Sequence, residues 1–163
     1  MATRVPLVLG ADGQIQQLQA GDNITSPVNT PSIRSVTNGE SATALVIGMP
    51  VYASAADAVK RAQANAKTTS LLAGLVYDVS IAAGAAGNIA QSGILVATAA
   101  QWDAVVTGES GGLTFNTNYF LDPANVGKLT ATPPTTVGQC NTLVGRAIST
   151  TELEILLNQP ILL

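Results

Sequence analysis

The chain contains no histidine, one cysteine and one tryptophan, and aromatic residues make up only 4% of its 163 positions. Without histidine it lacks both the commonest general base and the commonest zinc ligand. A single cysteine, Cys140, excludes an internal disulfide framework and a thiolate cluster built from this chain alone. Charge is equally scarce: seven Lys and Arg, ten Asp and Glu, 10% of the residues in all, against roughly 25% in an ordinary soluble domain. The net charge is −3 and the basic residues form no cluster, which removes the electrostatic footprint of a nucleic-acid binder. No long apolar run is present either. The longest candidate, residues 70–90, is broken by Gly74, Asp78, Gly84, Gly87 and Asn88, whereas a membrane span needs about 20 mostly apolar residues. It reads as buried strands, and no membrane partner is expected. The opening MATRVPLVLG holds too short an apolar run for a secretory signal. The sequon Asn23-Ile24-Thr25 is therefore read as coincidence.

What remains is a chain that is 47% hydrophobic and rich in Ala, Val, Thr, Gly and Asn. Such a composition suits a protein that covers much of its surface with partners. Its organisation reads in two parts. Residues 1–40 are expected to form an extended N-terminal arm. There Val5, Leu7 and Leu9 belong to an apolar run, and Asp12-Gly13 is a hairpin-turn signal. Residues 25–40 carry Pro27, Pro31, Asn29, Asn38 and Gly39, a composition that reads as linker. Residues 41–163 are expected to form a mainly β domain, a small barrel or sandwich with one short helix. The helix is predicted over residues 55–66, with Ser54 as N-cap, Asp57 three residues on, and Lys60, Arg61 and Lys67 toward its end. Strands are predicted at 44–47, 71–77, 93–98, 118–121 and 128–132, with a hairpin pairing 142–148 and 153–157. Thr98 is expected to cap a single helical turn through Trp102.

Catalytic patterns do not survive inspection. Gly108-Glu109-Ser110-Gly111-Gly112 matches G-x-S-x-G, but that elbow needs a following helix and a histidine partner. A glycine-rich turn is the better reading. The carboxylates are scattered, and Asp57, Asp78, Asp103 and Asp122 each sit beside a predicted turn or helix start. Trp102 reads as core, and Cys140 reads as a passive small residue. No catalytic, cofactor-binding or metal-ligating residue is expected.

Two stretches carry a family resemblance. The segment PLVLGADGQIQQLQAGDNI resembles N-terminal segments of tailed-bacteriophage structural proteins. The segment QWDAVVTGESGGLTFNTNYFLDPANVGKLTATPPTTVGQCNTLVGRAISTTELEILL resembles a β domain of capsid decoration (cement) and head-fibre type proteins, most plainly at residues 107–113, 119–123, 127–130, 144–147 and 153–155. The resemblance implies an all-β fold, a homotrimer and no catalysis. It also implies a place on the outer capsid surface of a virion made in a bacterial cytoplasm, with the major capsid protein as partner. A head-fibre or tail-fibre adaptor is the alternative, and a glycan-binding module a more distant one.

A trimer also accounts for the glutamines. A charge at a three-fold axis faces copies of itself, whereas glutamine carries donor and acceptor and can bond its own copy. Gln16 and Gln17, with Ile15 and Leu18 for apolar contact, are thus candidate self-association or docking residues. The uncharged tail Ile161, Leu162 and Leu163 is a further candidate. It is expected either to tuck against a neighbour or to close its own subunit's core.

Overall fold

The computed structural model describes residues 30–163, and before them the backbone of two short strands, β1 (Leu7–Leu9) and β2 (Ile15–Gln17). These two pair antiparallel, with Leu7 opposite Gln17, Val8 opposite Gln16 and Leu9 opposite Ile15. The turn expected at Asp12-Gly13 lies outside the described residues.

The described residues begin with β3 (Ser32–Asn38), β4 (Leu45–Val46), β5 (Pro50–Ala55) and β6 (Ala58–Arg61). A one-turn helix, α1 (Lys67–Ser70), leads to β7 (Leu72–Val76), β8 (Ser80–Ile81) and the long β9 (Ala86–Val96). Five of these strands close a β-barrel in the order β9-β3-β6-β5-β7 and back to β9. All its pairings are antiparallel except β3 with β6. The interior is filled by Val36, Val51, Val59, Val76 and Ile89, with Leu45 and Ile81 from the β4–β8 pair. A barrel this narrow has room for little more than β-branched side chains. Gly87 shows how tight it is: a Cβ there would lie 2.5 Å from the Ile81 side chain. Buried Asn38 seals one end by donating to the carbonyls of Thr43 and Ile81, both at 2.9 Å.

The second half hangs from the far end of β9. Helix α2 (Ala99–Val105) is followed by β10 (Val106–Thr107), β11 (Asn118–Leu121), β12 (Leu129–Thr130), β13 (Cys140–Asn141), β14 (Leu143–Ala147), β15 (Glu152–Ile155) and β16 (Ile161–Leu162). β15 pairs with residues 93–96 of β9, which joins both halves into one ten-stranded sheet. Trp102, Leu113, Tyr119, Leu121, Leu129, Val144 and Leu153 form its core. Thr98 caps α2 through a capping box with Gln101, as its position predicts.

Three expectations are corrected. Residues 55–66 are not a helix. Instead β5 and β6 form a hairpin whose turn holds Asp57 at φ 55°. Alanine favours helix by less than about 1 kcal/mol per residue. A helix here would present few large apolar side chains, whereas the barrel buries Val51 and Val59 and pairs both strands. Secondly, the linker read over residues 25–40 gives way at Ser32, because β3 lies in the sheet between β9 and β6. Its prolines precede it, and Ile33, Val36 and Thr37 supply the β-branched content a strand favours. Thirdly, the single turn expected after Thr98 extends to Val105 as α2, and a short helix, α1, stands at Lys67–Ser70 where none was expected.

Candidate functional site

Asp103 and Glu109 are held by neighbouring main-chain and hydroxyl donors. Asp103 accepts the N–H groups of Gly111 and Gly112 at 3.0 and 2.8 Å. Glu109 accepts the Tyr119 hydroxyl at 2.9 Å and the Thr114 hydroxyl at 3.1 Å. Burial pushes the Tyr119 phenol above its ordinary pKa, and the Glu109 carboxylate adds to the shift. The G-x-S-x-G segment is therefore a turn pinned between α2 and β11, with Ser110 exposed on it.

Asp122 is buried and accepts from the Thr107 hydroxyl at 2.6 Å, the Ala124 N–H at 2.7 Å, and the Asn125 N–H and side-chain amide, both at 3.0 Å. Burial alone would raise its pKa, but these donors outweigh burial and hold the carboxyl below its usual range. Asp78 accepts the Asn88 N–H at 2.9 Å. Among the described residues, no group of three or more His, Cys, Asp and Glu is placed to hold a metal ion. Cys140 is buried and unbonded to any other cysteine.

The chemistry on offer is apolar contact. A groove of about 440 Å³ is lined by Thr30, Pro31, Ile47, Tyr77, Val79 and Val96 among others. Two further depressions beside it share Ile47 and Val79 and run along α2 past Gln101. Val79 is 69% exposed and Val96 58% exposed. Two carboxylates, Asp78 and Glu152, stand in the groove wall. Leu95 of β9, and Ala97 just past its end, face the covered side, while Ile94 and Val96 face the groove.

A second apolar strip lies at the C-terminus. β16 pairs with β13, Cys140 opposite Leu162, and the Leu163 main chain bonds with both Gly138 and Gln139. Ile161 and Leu162 are nonetheless 65% and 61% exposed, and Val137 beside them is 88% exposed. Of the two expectations for the tail, closure of its own core is excluded. The main chain is held by its own subunit and the side chains face outward.

The other candidate residues are placed only in part. Leu7, Leu9, Ile15, Gln16 and Gln17 lie in the β1–β2 pair, and Val5 and Leu18 lie outside the described residues. Sequence reasoning did not find Ile47, Tyr77, Val79 and Val96. A signal was available in Gly93-Ile94-Leu95-Val96, where apolar residues occupy both faces of a strand.

No family model and no curated protein matches this chain.

Proposed function

We propose that this protein is a non-catalytic structural component of a bacteriophage virion, a decoration protein that coats the outer surface of the head as a homotrimer and stabilises the shell. The observation that carries the reading is the continuous exposed apolar surface around Tyr77, Val79 and Val96 on a body with so few charges. Exposed apolar residues gathered in one groove offer a partner a surface to bury. The virion assignment itself draws on the resemblance of residues 107–155 to phage β domains.

In this reading the body supplies a rigid platform and the N-terminal arm reaches the major capsid protein. Many weak contacts, repeated over the shell, then act together through multivalency. The alternative is a head-fibre or tail-fibre adaptor with the same body. A glycan-binding role draws little support, because the groove contains a single aromatic residue, Tyr77, and its Asp78 is tied to Asn88.

The test is stoichiometry and rebinding. Quantitative mass spectrometry of purified particles is expected to find several hundred copies per particle. A handful would replace decoration by the adaptor, and none would sink the virion reading. A variant lacking residues 1–29 is expected to keep its β-type circular dichroism, because β3 and both cores remain. It should bind poorly to particles stripped of the protein.

A further inference from the structure

We infer that the groove between the Tyr77–Val79 turn and β9 seats the N-terminal hairpin of a second copy of this chain, each copy handing its arm to the next. The inference rests on the self-association in the reading above and not on where in a virion the protein sits.

Two unsatisfied elements meet in this arrangement. The first is the groove, lined by buried Ile47 and by Val79, Ile94 and Val96. The second is the β1–β2 pair, a two-stranded sheet of its own that pairs with no strand of the ten-stranded sheet. An isolated hairpin of three-residue strands is marginal in water and needs an apolar surface to lie on. Its two strands carry Leu7, Val8, Leu9 and Ile15, the apolar residues that an apolar surface would receive.

The tether fits. Thr30 and Pro31, the first residues after the arm, stand at the rim of the groove. Residues 18–29 span at most about 43 Å when extended, well beyond the radius of a domain of this size, so the arm is long enough to leave its own subunit. Charge fits as well. Arg4 is the only Lys or Arg before residue 30, and it directly precedes the apolar run. The groove wall offers the carboxylates of Asp78 and Glu152. An arm passed head to tail generates a heterologous interface, which closes into a ring when the rotation allows.

The experiment uses the full chain with buried Cys140 replaced by alanine. One population carries Leu9→Cys and a second carries Val79→Cys. They are co-expressed and treated with a short bis-maleimide, each population alone serving as control. The expected result is a cross-linked dimer that only the mixture yields, and a ladder up to trimer in the double variant. A link formed solely within single chains of the double variant would put each arm in its own groove and overturn the inference. A trimer by light scattering with no link would overturn it while leaving self-association intact. A monomer would remove both. Val79→Asp with Val96→Asp is the second arm of the test, since both sites are exposed and folding is checked by circular dichroism. Self-association is expected to weaken about a hundredfold, and unchanged association would also overturn the inference.

Discussion

Trp102 donates its indole N–H to the Thr151 carbonyl at 3.0 Å, and the same carbonyl accepts the Ala97 N–H at 3.0 Å. This oxygen fastens α2 and the end of β9 to the turn between β14 and β15. The indole itself is fully buried in the larger core. Trp102→Phe should cost about 1–2 kcal/mol, because Thr151 keeps one donor. Trp102→Ala should cost about 3–5 kcal/mol through the cavity it leaves. Urea unfolding followed by circular dichroism measures both. Equal losses would mean that the ring volume contributes nothing.

Acid should destabilise the fold through Asp122 and Glu40. Burial raises both carboxyls, but hydrogen bonds to Asp122, and the Arg61 N–H groups and charge at Glu40, outweigh it and leave both pKa values lowered. A lowered folded-state pKa contributes stability above the unfolded-state value, near 4. That stability is lost as pH falls through the folded-state value. The melting temperature should therefore be flat from about pH 5 to 7 and fall below about pH 4. Asp122→Asn should cost about 1–3 kcal/mol at neutral pH and flatten the acid limb. An unchanged acid limb in that variant would remove Asp122 from the account.

The glycine turn offers a paired test. Gly111 and Gly112 both hold positive φ, 87° and 94°. A Cβ at Gly111 meets nothing within 4 Å, whereas at Gly112 it would collide with the Thr150 carbonyl oxygen. Gly111→Ala should cost about 1–2 kcal/mol, the backbone penalty alone. Gly112→Ala should cost distinctly more, since the main chain of the β14–β15 turn must also move. Thermal melts of the two variants decide it, and equal midpoints would count against the collision.

Gln16→Glu with Gln17→Glu changes charge while nearly preserving size. At a symmetric axis or a packed strand the added charges should repel and weaken the proposed trimer, more strongly at low salt. Light scattering at two ionic strengths reads the effect. An unaltered mass at both would return these glutamines to an arm without a role in assembly.

Several elements were legible because local rules act on neighbouring residues. The hairpin of β14 and β15, the strand β11 and the Thr98 cap each follow from apolar alternation or capping chemistry within a few positions. The helix expected at residues 55–66 failed because alanine-rich chain obeys whichever partner buries more. Here that is β3 on one side of β6 and β5 on the other. Of the exposed apolar residues, only the C-terminal Ile161, Leu162 and Leu163 are singled out from sequence. Tyr77 and Val79 follow β7 in sequence, yet they become a groove only because β9 brings Val96 from beyond residue 90 to face them.

Composition and local pattern alone determined the mainly β character and the absence of histidine-based chemistry. They also determined the scarcity of charge that makes subunit contacts expected. These depend on which side chains exist and on spacings of two to four residues. Closure of the five-stranded barrel, the capture of β3 into the sheet and the exposed apolar groove were decided by tertiary structure. Each depends on strands far apart in the chain competing for the same edge, and the winner is set by the apolar area buried and the main-chain bonds made together.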